Sequence, residues 1–325
     1  MGHVVRCLAL ADYLKKNYKC KIHFAMRRSE LGVNKVKSSY SVFQSDESEF
    51  NYKYWLSDCI SKSNAEILIM DMRDGLARDE LKQLKKKTGI KVVTIDDLED
   101  KRLEADLAFY PPINQLKKMN WDGYNGKLLI GWKYVLLREE FVKSYPKSNN
   151  IIPNILITMG ATDEKNITSF VVEALNKLNE KFHVSIIVGI GYPHLDHLKN
   201  ILDMVQYKYK LFIEPNNMAE IMSKSDLAII SFGVTAYELA ALNTPAVYLC
   251  LSDDHEMSAN LFKYEGVGKI ISKYSKINKE EFITTLSSLL KNQKILSAMS
   301  LQASSINVSD LEEISNCIIG KRIYA

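Results

Sequence analysis

Over most of its length the sequence alternates short, mainly apolar runs with stretches whose apolar residues recur at helical spacing. No other feature constrains the fold as much. The runs lie at 67–70, 91–95, 155–159, 184–189, 208–213, 226–230 and 246–251, and the helical stretches at 78–87, 167–178, 194–204, 218–223, 257–264, 279–290 and 311–319. An apolar run without polar alternation suits a strand buried on both faces of a parallel sheet, and strands separated by helices require right-handed crossovers. Before these come a helical stretch at 7–16, an apolar alternation at 20–25, a short segment at 40–43 and a helical stretch around 54–61. At 325 residues the chain is long enough for about two domains with separate cores. Segment 139–154, with Pro146, Ser148, Asn149, Asn150 and Pro153, reads as the linker, which predicts α/β domains at 1–148 and 149–325 facing a cleft. The last helix is a candidate to return to the first domain.

Composition removes several classes of function. With 46% hydrophobic residues, 25% charged residues and a net charge of +4, the chain is of ordinary globular type. Its lysines are interspersed with acids, without the basic and aromatic stripe of a nucleic-acid binder. The five cysteines, Cys7, Cys20, Cys59, Cys250 and Cys317, are far apart and odd in number, with no C-x-x-C pair and no histidine at ligand spacing. They predict reduced cytosolic thiols, with neither a disulfide framework nor a metal site. No apolar run reaches the ~18 residues needed to span a bilayer, and no signal peptide is visible.

The stretch Ser231-Phe232-Gly233-Val234-Thr235-Ala236-Tyr237-Glu238 follows the apolar run 226–230 and turns into a helix. Ligands of open α/β sheets bind at the carboxyl ends of strands, and N–H groups at a helix start suit a phosphate. Ser231, Gly233, Val234 and Thr235 are therefore expected at a diphosphate, and Glu238 at the vicinal hydroxyls of a ribose. An ordinary strand-to-helix connection carrying a solvated glutamate is the alternative. The turn Gly160-Ala161-Thr162-Asp163 follows another strand; Gly160 is a binding candidate and Asp163 a helix cap.

The chain opens as a helix, with Met1-Gly2-His3-Val4-Val5-Arg6 leading straight into 7–16. A half-domain of this kind normally begins with a central strand feeding the turn before its first helix. Such a strand contributes contacts at roughly 25 cal/mol per Å², comparable with a whole domain's net stability of ~5 to 15 kcal/mol. The expectation is a start further upstream by ~10 to 15 residues.

Taken together, these segments resemble the PseG-type UDP-sugar hydrolases of pseudaminic acid biosynthesis and the SpsG-type spore-coat polysaccharide proteins. Both share the GT-B fold, two Rossmann-like domains facing a cleft, with MurG-like glycosyltransferases. The resemblance is carried by Gly2-His3-Val4-Val5-Arg6-Cys7-Leu8-Ala9-Leu10-Ala11, Asp71, Ile95-Asp96-Asp97-Leu98, Gly131 to Tyr134 with Leu137, Arg138 and Phe141, Gly160 with Asp163 and Asn166, and Ser231 to Glu238. It implies hydrolysis of a UDP-linked diacetamido-trideoxy sugar in the cytoplasm: water attacks the anomeric carbon and UDP leaves, with no metal or cofactor. It implies His3 as the base, and the helix start agrees, since its dipole disfavours the imidazolium. The alternative is a His3 that only caps its helix or touches a phosphate. Gly2 shares the same turn. Arg6 is either a phosphate ligand or an ion pair to Asp71 or Asp96. Of Asp96 and Asp97, which point oppositely along a strand, one is expected at the sugar, and Asp97 is the candidate taken. Where the hydrolases carry Asn-Gln, this chain has Asp254-His255, expected either to face the sugar or to lie in a surface loop. A GT-B glycosyltransferase using the same UDP-sugar is the alternative activity, and only that reading brings a peripheral membrane contact; a UDP-sugar binding protein without turnover is the third.

Overall fold

The parallel arrangement predicted from the apolar runs is present throughout. The computed structural model describes residues 2–27, 30–45, 51–72, 75–146 and 150–320. The chain divides into two units, Met1–Glu139 with Ser309–Ala325, and Glu140–Val308. The expected boundary at 148 and 149 lies outside the described residues.

The first unit begins with α1 (Gly2–Tyr18), which extends the expected helix back over the glycine–histidine turn. It continues through β1 (His23–Arg27), α2 (Glu30–Lys37), β2 (Ser41–Ser45), α3 (Tyr52–Ser63), β3 (Ile67–Met70), α4 (Arg78–Thr88), β4 (Lys91–Ile95), β5 (Leu107–Tyr110) and β6 (Lys127–Ile130). Its parallel strands fall into two separate sheets, β1-β2 and β3-β4-β5-β6. Leu10 and Leu14 of α1 pack with Val93, Ile95, Leu107 and Phe109 of the larger sheet, while Ala11 packs with Val36 and Tyr40 beside the smaller one. The opposite face of the larger sheet is covered by Leu56 and Ile60 of α3 and Leu81 and Leu84 of α4.

The second unit contains β7 (Asn154–Thr158), α5 (Ile167–Leu175), β8 (His183–Val188), α6 (Leu195–Leu202), β9 (Lys208–Ile213), α7 (Met218–Ser223), β10 (Leu227–Ser231), α8 (Val234–Ala241), β11 (Ala246–Cys250), α9 (Asp253–Tyr264), β12 (Gly268–Lys273), α10 (Lys279–Lys291) and α11 (Gln293–Ser304). A final helix, α12 (Leu311–Ile319), belongs to the first unit. The six strands form one parallel sheet in the order β12-β11-β10-β7-β8-β9. Leu227, Ala228, Ile229 and Ile230 have no exposed surface, as the unbroken run predicted. Burying a side chain of this size stabilises by roughly 1.5–3 kcal/mol.

Several expectations change. Segment 139–154 is not open linker throughout: Glu139–Val142 form a short 3-10 helix, and Phe141 is fully buried. The helix expected from 257 starts at Asp253, because the Ser252 side chain accepts the His255 N–H and caps it. The pair Asp254-His255 thus lies in a helical first turn and not in a loop. The five cysteines are free thiols.

Candidate functional site

In the first unit, α1 places His3 and Arg6 one turn apart on one face. The paired strands β3 and β4 end side by side, in a register of Met70 with Thr94, so Asp71 and Asp96 emerge at the same carboxyl edge. These four side chains meet. His3 Nδ1 lies 2.6 Å from Asp71 Oδ1. Arg6 donates from Nε to Asp71 Oδ2 at 2.6 Å and from Nη2 to Asp71 Oδ1 at 2.5 Å, and reaches Asp96 Oδ2 from Nη1 at 3.3 Å. Cys7 donates to Asp71 Oδ2 at 3.4 Å, and burial followed by the Asp71 charge pushes its thiol well above the ordinary value. The His3 side chain is 50% exposed while that of Asp71 is 2% exposed, so only the imidazole is open to a reactant. Burial opposes the Asp71 charge, yet the hydrogen bonds from Arg6 and His3 outweigh it and hold the carboxyl below its ordinary value.

Asp96, not Asp97, joins this cluster. Asp97 is 1% exposed; its Oδ1 accepts the Glu99 N–H at 2.9 Å and lies 3.4 Å from the buried Lys101 ammonium. Burial pushes its carboxyl up. The expectation of opposite-facing neighbours assumed strand geometry, but Asp96 has φ 51 and leaves the strand there, held by its N–H to the Phe109 carbonyl at 2.8 Å. Arg6 takes the ion-pair alternative, with both acids. Gly2 lies in the exposed first turn of α1.

In the second unit the strand order reverses between β7 and β10. That reversal is the switch point at which open α/β sheets bind ligands. Gly160 follows β7 and Ser231 ends β10; a Cβ on Gly160, whose φ is +90, would stand 4.0 Å from Ser231 Oγ. Gly233 is the N-cap of α8 and no side chain caps it, so the first N–H groups of the helix, at Val234 and Thr235, have no acceptor within it. Val234 is exposed, and Gly233 and Thr235 are half-buried. The arrangement can take an anionic group. Glu238, one turn further, is 7% exposed. His255 is half-buried beside Phe232, with ring centroids 6.2 Å apart, and Asp254 is exposed. Gly160, Ser231, Gly233, Val234 and Thr235 therefore share one end of this sheet, and His255 reaches the same stretch through Phe232. Sequence reasoning missed Asp71 as a partner of His3. A lone acid closing the apolar run Ile67–Met70 was the available signal.

Residues 154–314 match the Glycosyltransferase family 28 C-terminal domain. An uncharacterized protein of Methanocaldococcus jannaschii is 28% identical over 77% of this chain, and the match spans 52% of that protein's length, about half. The spore coat polysaccharide biosynthesis protein SpsG of Bacillus subtilis is 23% identical, covering 90% of this chain and 86% of SpsG. The UDP-2,4-diacetamido-2,4,6-trideoxy-beta-L-altropyranose hydrolase of Campylobacter jejuni is 27% identical, covering 82% of this chain and 92% of the hydrolase. Among solved structures, Acinetobacter baumannii MurG superposes with a TM-score of 0.74 at 17% identity, over 98% of this chain and 96% of MurG. The chain is thus a homologue of SpsG and of the Campylobacter hydrolase, built on the GT-B fold of MurG-like glycosyltransferases.

Proposed function

We propose that the chain is a UDP-sugar enzyme of cell-surface glycan synthesis, and that it hydrolyses a UDP-linked diacetamido-trideoxy sugar. The observation that carries this reading is His3, exposed at a helix start and tied through Nδ1 to a buried carboxylate 2.6 Å away. Such an imidazole can take a proton from water as the water oxygen bonds to the anomeric carbon. The bond between that carbon and the phosphate oxygen breaks, and UDP departs with the electron pair. The first-turn N–H groups of α8, with Ser231 and Gly160 beside them, would hold the diphosphate and stabilise its leaving charge; Glu238 would meet the ribose, and Asp254 and His255 the sugar. Gly2 would keep the backbone close at the His3 turn. Free thiols suit a reducing compartment, so we assign the enzyme to the cytoplasm. No helix among the described residues is long and apolar enough to cross a membrane.

The match to a glycosyltransferase domain favours a second reading, in which an acceptor hydroxyl replaces water. One experiment separates them: incubation with UDP-2,4-diacetamido-2,4,6-trideoxy-beta-L-altropyranose and measurement of UDP release. Release in water that falls roughly 10²- to 10⁴-fold in His3→Ala is the expected result. Release that requires an added acceptor establishes the transferase, and an unchanged rate in His3→Ala removes His3 from the chemistry.

A further inference from the structure

We propose that Asp71 and Arg6 are a positioning pair that fixes His3 as its Nδ1–H tautomer, and that Arg6 takes no part in holding substrate. The functional meaning of this rests on the reading of His3 as the proton acceptor; the tautomer itself does not. His3 Nδ1 has two neighbours of opposite character, Asp71 Oδ1 at 2.6 Å and Arg6 Nη2 at 3.1 Å. A carboxylate can only accept a hydrogen bond and a guanidinium can only donate one. If Nδ1 were bare, it would accept from Arg6 but set its lone pair against a carboxylate oxygen 2.6 Å away with no proton between them. With Nδ1 protonated, the contact becomes a charge-assisted hydrogen bond, the kind that is shorter and stronger than a neutral one. The 3.1 Å approach of Arg6 then follows from geometry, because Nη2 and Nδ1 both converge on Oδ1. In the neutral ring the lone pair is therefore on Nε2, at the exposed side chain, where a water proton can be taken.

Arg6 has its fork committed. Nε and Nη2 grip the two oxygens of Asp71 and Nη1 reaches Asp96, with the Arg6 side chain 13% exposed and that of Asp96 15%. A guanidinium flanked by two carboxylates has its charge matched before any phosphate arrives, and a phosphate brought to it would meet both acids. Asp96 is held for this contact at φ 51, a backbone state that is uncommon for a residue with a side chain and least costly for Asp and Asn. The chain is thus Asp96 to Arg6 to Asp71 to His3, with only the last member open to a reactant. Among the described residues, Asp71 at the end of β3 and Arg6 on α1 touch the His3 ring, and behind them Asp96 at the end of β4 reaches Arg6 while Cys7 on α1 reaches Asp71.

The test begins without substrate. Long-range ¹⁵N–¹H correlation spectra of the histidine-labelled full chain near neutral pH report which ring nitrogen of His3 carries the proton, the signal being assigned by its loss in His3→Gln. In the neutral ring, reached by raising the pH where needed, a protonated Nδ1 and bare Nε2 are expected; a bare Nδ1 overturns the proposal. In Asp71→Asn the side-chain amide can donate to Nδ1, so the tautomer should flip and kcat should fall roughly 10³- to 10⁴-fold, the scale seen when a histidine is held in its wrong tautomer, with KM changing less than about threefold. Arg6→Lys keeps the charge but loses the fork, so kcat should fall about tenfold while the dissociation constant of UDP holds within about twofold. A tenfold weakening of UDP binding in Arg6→Lys would make Arg6 a ligand and sink the assignment. Should the Nδ1–H tautomer be found while His3→Ala hydrolyses at the parent rate, the hydrolase mechanism fails and the positioning assignment stands.

Discussion

At the scale of single residues, His255 supplies a titration that can be read without substrate. Burial pushes its pKa below the ordinary 6.5, and the neighbouring Asp254 opposes this only in part. Its buried Nδ1 has no hydrogen-bond partner. A histidine whose folded pKa is depressed binds fewer protons folded than unfolded as pH drops below 6.5. Its stabilising contribution is therefore complete above that value and is lost as pH falls through the folded pKa. The urea midpoint of the parent chain should decline more steeply between about pH 7 and pH 5 than that of His255→Gln, which cannot titrate. Parallel profiles would show that the ring is solvated. The two adjacent acids after β4 show how far such residues can be read in advance. Asp96-Asp97 was legible as a strand end, but which acid reaches Arg6 depends on the left-handed backbone at Asp96, and that follows from tertiary contacts instead of strand periodicity. His3 was a candidate through the resemblance of its glycine turn to that of the hydrolases, with which its place at the head of a helix agreed. Asp71, 68 residues away, acquires its meaning only through the folded sheet.

Elements were legible where the apolar run was unbroken and flanked by helix. Strands β3 and β4 and three of the four inner strands of the second unit, β7, β10 and β11, come nearest to this. The strands β5 and β6 were not, because they are four residues each and the chain around them runs through 3-10 turns, Asp100–Glu104 and Asn114–Lys118, so neither template fits. Helix α11 was missed because it follows α10 directly at Asn292, without a loop to announce it. Nor does periodicity reveal how closely two turns approach. A Cβ on Gly189, just after β8, would stand 2.1 Å from the Ala161 carbonyl oxygen, so a substitution must displace backbone in the turn that begins at Gly160. Gly189→Ala should cost about 1–3 kcal/mol by urea unfolding, as an overpacked site does. Gly191→Ala, two positions on, meets Thr162 Cγ2 at 3.6 Å and the Ala161 carbonyl oxygen at 4.0 Å, both ordinary contacts. There the loss of unfolded-state freedom should leave stability unchanged or raised by about 0.4–1 kcal/mol. Equal losses at both positions would show that the close approach after β8 is absent.

On the scale of the whole molecule, the chain leaves the first unit after Glu139 and comes back to it at Ser309. Helix α12 completes the first core, with Leu311, Ile314 and Ile318 packed against Leu10 and Leu14 of α1. Its attachment is also polar. The Ser309 N–H donates to the Trp132 carbonyl at 3.1 Å, Glu313 accepts from Lys133 at 2.7 Å and from the Tyr134 hydroxyl at 2.9 Å, and Lys91 places its ammonium on the Ile318 carbonyl at 2.6 Å, at the negative end of the helix. Ile314 is 1% exposed, so Ile314→Ala should cost about 2–5 kcal/mol, the range for emptying a buried branched site. Ending the chain at Val308 should do more, since it uncovers Leu10 and Leu14 together. Amide hydrogen exchange should then lose protection in α1 and in β4, β5 and β6. The amides of β7, β8 and β10, whose core draws on α5, α6, α10 and α11 and on no residue of α12, should keep theirs. If protection in β7 and β10 fell in step with that in α1, the two units would unfold as one cooperative body, and α12 would have to be read as part of a single core.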